Sequence, residues 1–340
     1  MSEPVLSVRD LRVEFRTEDA TVRAVRGLTF DLAPGEILGI VGESGSGKSA
    51  AAMALTALNR SANATLEGEV LLAGRNLLTL RERQLRPIRG AEIAMIFQDP
   101  MTSLTPVHRV GSLISEVLRA HEPLSRSQAR VRAIELLAEV GIPDPAGRVD
   151  DYPHEFSGGM RQRVMIAMAL ACRPSVLVAD EPTTALDVTI QAQILRLIRR
   201  LRAELHTAVL LITHDLGVVA QVADRVAVMY AGRFVEEGPT DQIFGSPRHP
   251  YTLGLLASVP RTDRPRSTLL RAIKGQPPPM TRHDHGCAFR PRCYAAHAAC
   301  AERPELEDRG GGPSHRDACW LTDDARRSPP PEVADGPARA

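Results

Sequence analysis

The stretch from Ile37 to Leu58 restricts the fold of this chain more than any other. An unbroken apolar pentapeptide, Ile37–Val41, leads into Gly42-Glu43-Ser44-Gly45-Ser46-Gly47-Lys48-Ser49, and helix formers follow through Leu58. A short apolar run bounded in this way reads as a strand buried on both faces, which requires a sheet covered by helices. The eight residues after it match G-x-x-x-x-G-K-S in its strand–loop–helix setting. Here glycines let backbone N–H groups curl around phosphate oxygens, and the helix start adds partial positive charge. Gly42, Ser44, Gly45, Gly47 and Ala50 belong to that cradle. Lys48 is placed to reach the terminal phosphates, and the Ser49 hydroxyl to ligate Mg²⁺. Cation usage sharpens the point. Of 42 Lys plus Arg, only Lys48 and Lys274 are lysines, so a chain that avoids lysine puts an amine here.

The rest of the pattern agrees with a layered α/β fold. Val176–Ala179 and Ala208–Ile212 are further apolar runs of buried-strand type. Between them Ile190, Ile194, Leu197, Ile198, Leu201 and Leu205 recur at spacings of three and four, an amphipathic helix. Strands alternating with helices predict a sheet with a parallel core. Residues 5–15 alternate, and Phe30–Leu32 and Val70–Ala73 add short strands; these, with the pair Arg225–Tyr230 and Arg233–Glu237, read as antiparallel. Residues 101–170 carry little strand pattern, and Val110–Ala120 and Ser127–Val140 have helical period, which predicts a helical insertion. The fold class expected is α/β: a phosphate-loop nucleotide-hydrolase core with a mixed sheet, an antiparallel β subdomain, a helical insertion and a small Cys-rich C-terminal extension. The expected units are residues 1–255, 256–322 and a disordered Pro-, Ala- and charge-rich tail, 323–340.

Chemistry beyond phosphate binding starts at Asp180-Glu181, two acids at the end of the Val176 strand. The C-terminal edge of a parallel sheet is where α/β folds bind ligands. Asp180 can hold Mg²⁺ through water, and Glu181 can act as general base on the attacking water.

Phe156-Ser157-Gly158-Gly159-Met160-Arg161-Gln162 resembles the signature motif of ABC-transporter ATPases, with Phe for Leu and Met for Gln. Other elements of that family follow in order. Gln98 in Phe97-Gln98-Asp99-Pro100 resembles the Q-loop glutamine, which contacts Mg²⁺ and the partner. Ala185-Leu186-Asp187 resembles the D-loop, and His214 in Ile212-Thr213-His214-Asp215 the switch histidine, which orients the attacking water. Phe15 resembles the aromatic residue that stacks on adenine, although an aromatic in an alternating strand also reads as core. The resemblance implies that Ser157, Gly158, Gly159 and Asp187 complete the ATP site of an opposite subunit, so two nucleotide domains must pair. His249-Pro250-Tyr251-Thr252-Leu253-Gly254-Leu255-Leu256 narrows the resemblance to the dipeptide/oligopeptide/nickel importer branch. Thr105 stands where that branch often has Asn. The implied role is ATP hydrolysis that powers import of short peptides, with nickel or glutathione as alternative solutes and a soluble non-transport ABC ATPase as the further alternative. Implied partners are two membrane permease subunits, a second ATPase subunit (a paralogue or another copy of this chain) and, indirectly, an extracytoplasmic solute-binding protein.

The remaining signal is Cys287-x5-Cys293-x6-Cys300-x18-Cys319. Soft thiolates clustered in a cytosolic chain suit a metal site better than disulfides. The spacing leaves iron–sulfur, Zn²⁺ and unligated thiols open, and no C-x2-C pair favours zinc. The branch resemblance implies a [4Fe–4S] cluster on these four, with His283, His285, His297 and His315 as substitutes in a zinc site. Cys172, in an apolar segment, reads as a buried hydrophobe. Composition excludes other classes. A net charge of +1 and 4% aromatic residues argue against a nucleic-acid binder. No apolar run reaches the roughly 18–20 residues of a membrane span. The first ten residues lack a signal-peptide pattern. The expected location is therefore peripheral, at the cytoplasmic face of the membrane.

Overall fold

The computed structural model describes residues 3–99, 103–184, 186–258, 273–281, 285–309 and 314–322. Pro100–Thr102, Ala185, His283 and the expected tail 323–340 lie outside them. Two sheets form the frame. The first contains β1 (Leu6–Arg16), β2 (Thr21–Leu32), β4 (Ala64–Leu72) and β5 (Arg75–Asn76), antiparallel in the order β2-β1-β4-β5. The second is built from β3 (Ile37–Val41), β6 (Ile93–Ile96), β7 (Val176–Asp180), β8 (Ala208–Thr213), β9 (Arg225–Tyr230), β10 (Arg233–Pro239), β11 (Glu307–Asp308) and β12 (Arg316–Asp317). Its order is β11-β12-β10-β9-β3-β8-β7-β6, parallel from β9 to β6 and antiparallel beyond β9.

All five residues of β3 are buried, as the apolar run requires. The adjoining strands show why both faces must be apolar. Val176 and Val178 of β7 enter one core cluster with β1, β2 and β4, whereas Leu177 and Ala179 enter another with the helices. Ala208, Leu210 and Ile212 of β8 divide from Val209 and Leu211 in the same way. Each such side chain contributes about 1.5–3 kcal/mol on burial, so a polar residue anywhere in these runs destabilises one layer or the other.

The second cluster belongs to the helical insertion, with helices Val110–His121, Arg126–Glu139 and Gly158–Leu170, and to the helix Val188–Leu205. The helix Arg126–Glu139 starts one residue before the expected Ser127, with Ser125 as its N-cap. Its Oγ accepts from Gln128 N at 3.3 Å, and Gln128 Oε1 accepts from Ser125 N at 2.9 Å, a reciprocal capping box. The β expectations were short rather than misplaced. Phe30–Leu32 is the end of a strand that begins at Thr21, and Val70–Leu72 of one that begins at Ala64, with Ala73 in the turn after it. Their polar halves are held by cross-strand pairs such as Arg23 Nε to Glu14 Oε1 at 2.8 Å, which a hydrophobic pattern does not reveal. Cys172 is half-buried in the turn after the Gly158–Leu170 helix, packed on the helical cluster, and burial pushes its thiol up to about 11.

The C-terminal extension folds back onto the main sheet. β12 pairs with β10, and Cys287, Phe289 and Cys293 share a third apolar cluster with Val41, Tyr230 and Tyr251. Glu236 of β10 is fully buried. It accepts backbone N–H groups from Arg248 at 2.7 Å and His249 at 2.9 Å, and its Oε1 lies 2.8 Å from His315 Nε2. One carboxylate thus ties β10, the start of the helix Pro250–Ser258 and the extension together.

Candidate active site at the phosphate loop

β3 delivers the glycine loop to the start of the helix Lys48–Leu55. Two glycines are required by close approach. A Cβ at Gly42 would meet Met229 O at 2.2 Å, and one at Gly47, where φ is +102°, would meet Ala24 O at 2.0 Å. Ser44 and Gly45 are exposed at the loop's tip, with Gly45 also left-handed. The Lys48 amine is buried within the loop and donates to Gly42 O at 2.8 Å and Glu43 O at 2.9 Å. Burial pushes this amine below its ordinary value, against the pull of Glu181, Asp180 and Glu43.

β7 brings two carboxylates to the same edge. Asp180 is 3% exposed and accepts from Ser49 Oγ at 3.2 Å. Burial raises its pKa, and the charge of Glu181 adds to the rise against the Ser49 hydrogen bond. Ser49, Gln98 and Asp180 line one open cleft of about 450 Å³. Their hard oxygens are the donor chemistry Mg²⁺ selects, so these residues fit that ion.

Glu181 has φ +48°, a left-handed conformation strained by about 1–2 kcal/mol for a residue with a Cβ. Its N–H donates to Ile212 O at 2.8 Å, so β8 holds the bend. Three side chains then meet its carboxylate. Gln98 Nε2 and Thr184 Oγ1 each donate to Oε2 at 2.9 Å, and His214 Nδ1 lies 3.1 Å from Oε1. Burial pushes the carboxyl up, but the His214 and Thr184 hydrogen bonds and the charges of His214 and Lys48 outweigh it and leave the pKa low. Thr184 was not foreseen; its signal was a hydroxyl three residues past a strand-end acid.

The signature segment forms a second group. Ser157 is the exposed N-cap of Gly158–Leu170, accepting from Met160 N at 3.4 Å. Asp187 is the exposed N-cap of Val188–Leu205, accepting from Ile190 N at 2.9 Å. The two helix starts touch: a Cβ on Gly159 would lie 2.7 Å from Ile190 Cγ2, and Gly158 lies against Leu186. Phe15 stands opposite Val22 near the end of β1, half-buried against the antiparallel sheet's cluster.

The sequence reading also missed what holds Glu43, the second residue of the loop. Its N–H donates to Tyr251 Oη at 2.8 Å. Its carboxylate takes both arms of Arg292, Nη1 to Oε2 at 2.6 Å and Nη2 to Oε1 at 3.0 Å.

The four late cysteines converge without forming a ligand set. Cys287, Cys293, Cys300 and Cys319 line one small cavity with Phe289 and Trp320, and none is in a disulfide. Burial pushes the Cys293 thiol up to about 11. Among the described residues, however, no group of three or more His, Cys, Asp and Glu side chains is placed to hold a metal ion. This corrects the expected four-thiolate site as a formed arrangement: donor type fits a soft metal, present spacing does not. His315 Nε2 lies on buried Glu236 Oε1, and His315 is not among the residues that line the cysteine cavity. His297 Nδ1 is 3.6 Å from Cys300 Sγ.

Residues 25–184 match the ABC transporter family model, and residues 235–300 match the oligopeptide/dipeptide transporter C-terminal region. The chain is 52% identical to the oligopeptide transport ATP-binding protein OppD of Bacillus subtilis, over 97% of this chain and 92% of that protein. It is 52% identical to OppD of Escherichia coli over 90% of each, and 50% identical to the dipeptide transport ATP-binding protein DppD of Bacillus subtilis over 94% and 96%. Among solved structures, a dimeric ATP-binding cassette in a post-hydrolysis state bound to ADP and Pi covers 69% of this chain and 98% of its own, at TM-score 0.63 and 27% identity. The cbiO1 protein of Clostridium perfringens, part of an ABC transporter complex, covers 72% and 92% at TM-score 0.60 and 28% identity. Among the described residues no helix is long and apolar enough to cross a membrane. The chain therefore belongs to the ATP-binding proteins of ABC transporters, in their oligopeptide/dipeptide branch.

Proposed function

We propose that this chain hydrolyses ATP to drive import of di- and oligopeptides through membrane permease subunits. The observation that carries the reading is the meeting of Gln98, Thr184 and His214 on Glu181 beside the Ser49–Asp180 pair. The C-terminal match to peptide transporters supplies the substrate class.

In this reading the loop from Gly42 to Ala50 binds the phosphates, with Lys48 neutralising them and Phe15 stacking on adenine. Ser49 and Gln98 would hold Mg²⁺, and Asp180 would hold it through water; when bound the ion neutralises charge developing on the phosphates. Glu181 is the general base, and its low pKa keeps it ionised and able to take the proton of the attacking water. His214 and Gln98 fix the carboxylate's direction. Ser157, Gly158, Gly159 and Asp187 act on the site of a second ATPase subunit, a paralogue or another copy; Ser157, Gly158 and Asp187 are exposed, and Gly159 is half-buried against Ile190.

Permease docking is supported by an apolar hollow of about 540 Å³ between β6 and the helical insertion. Leu104, Val117, His121 and Met165 line it, and Leu58 and Phe97 at its walls are 41% and 40% exposed. Such a patch beside Gln98 would couple permease movement to the site. The chain would then work as a peripheral subunit on the cytoplasmic face, with a solute-binding protein outside. The nucleotide-binding unit is taken as residues 1–255 and the extension as 256–322. Four cysteines lining one cavity supply soft donors for an iron–sulfur cluster, with zinc as the alternative, once the thiols move from their present spacing to bonding distance. The test is reconstitution with the permeases in vesicles and ATP-dependent uptake of labelled di- and tripeptides. Hydrolysis that drives nickel or glutathione uptake but no peptide would overturn the substrate class.

A further inference from the structure

We propose that the C-terminal extension, through Arg292, and the start of the helix Pro250–Ser258, through Tyr251, together position the phosphate loop by acting on Glu43, and so set the affinity for ATP. The inference rests on the reading of the loop as the ATP site. Position two of G-x-x-x-x-G-K-S is open to any residue, yet here every polar group of that residue is engaged. The Glu43 N–H goes to Tyr251 Oη at 2.8 Å, its C=O accepts from Lys48 Nζ at 2.9 Å, and its carboxylate is gripped by Arg292. Glu43 is therefore a junction between the extension and the lysine that meets phosphate.

The side of the junction facing Glu43 is rigid. The Arg292 side chain is only 4% exposed. Its Nε donates to Lys274 O at 3.0 Å, and its guanidinium lies 5.8 Å from the Tyr230 ring centroid and 5.9 Å from that of Phe289. Tyr251 is fully buried, with its ring 4.6 Å from Tyr230 and 5.4 Å from Phe289. A bidentate arginine–carboxylate pair is strong and directional, and a planar fork so constrained loses little freedom in making it. A loop held in its turn before ligand arrives loses less conformational freedom on binding. Arg292 and Tyr251 are thus positioning residues: neither touches nucleotide, and Glu181 is held by other strands.

The position of the effect separates this role from simple support of the fold. Loss of loop order raises KM for ATP, whereas partial unfolding lowers kcat by removing active molecules. In the assembled transporter, Arg292→Gln and Glu43→Gln should each raise KM for ATP about three- to tenfold, about 0.7–1.4 kcal/mol, with little change in kcat. The double variant should be no worse than either single one, because both remove the same pair. If Arg292→Gln disrupts the extension, Glu43→Gln decides, since it leaves the extension's buried residues intact. Unchanged KM in Glu43→Gln, additive effects in the double variant, or a fall in kcat alone would each overturn the proposal. Lys48→Ala is the control: if it too leaves ATP affinity unchanged, the reading of the loop fails, whereas weakened binding there alone sinks only the positioning role.

Discussion

Nδ1 of His214 and Oε1 of Glu181 stand 3.1 Å apart, although they come from the ends of two different strands. The other oxygen of the same carboxylate is taken by Gln98, from the end of a third strand, and by Thr184. Movement of any one of these loops would turn the carboxylate, so a single group reads the state of three segments.

Glu181→Gln keeps the shape and removes the base. ATP binding should persist, and hydrolysis by the assembled transporter should fall about 10²–10⁴-fold. A wild-type rate in a steady-state phosphate-release assay would remove Glu181 from this role.

Lys48→Ala should weaken ATP binding about tenfold or more, or about 1.4 kcal/mol or more. The amine is buried and already desolvated, so its contact with phosphate is little screened by solvent. Titration calorimetry with the purified chain checks this, and equal affinities would count against the loop.

Asp180 gives a pH signature. Its folded pKa is raised, so the native state binds the proton more readily than the unfolded chain between the unfolded and folded values. In that window stability falls as pH rises, and at neutral pH the buried charge is a standing cost. Asp180→Asn should therefore raise the nucleotide-free Tm at pH 7 by about 2 °C, with the gain vanishing near pH 4, while abolishing hydrolysis. A lower Tm at pH 7 would show that the Ser49 hydrogen bond outweighs burial.

Ser157→Arg should separate binding from turnover. Ser157 is exposed and caps a helix, so its loss costs about 1 kcal/mol of stability and leaves ATP binding to the isolated chain unchanged. Hydrolysis by the assembled complex should drop about 10²-fold, the scale of losing a preorganised anion site. An undiminished rate would mean the helix start takes no part in a partner's site.

The cysteine proposal is settled by composition of the protein itself. Anaerobically purified chain should carry iron and acid-labile sulfide, and Cys300→Ser should remove both while leaving ATP affinity intact. Zinc without iron would select the other soft metal.

The parts of the site that were legible in sequence share one property: each lies where a short apolar run stops. Ile37–Val41 points to Lys48, Val176–Ala179 to Asp180 and Glu181, and Ala208–Ile212 to His214. Buried strands announce themselves by continuity, and the polar residue after one has nowhere else to be. The contacts that escaped notice cross the chain between polar residues with no periodicity. Arg292 is 249 positions from Glu43, and His315 is 79 from Glu236. Their pairing depends on how the extension folds back, and spacing within 256–322 carries no trace of that. The same holds for the cysteines, whose spacing shows ligand type but not whether four thiols stand at bonding distance.

The two-residue strands β11 and β12 have a consequence for any shortened version of this protein. β10 is bonded to β9 on one side and to β12 on the other. A chain cut after residue 255 keeps every ATPase motif yet strips that outer neighbour, leaving a row of unpaired peptide groups flanked by Glu236, Glu237 and Val235. A bare edge is a template for a strand from another molecule, so the minimal cassette should be the sticky one, and solubility as well as ATP affinity should set where this gene can be trimmed.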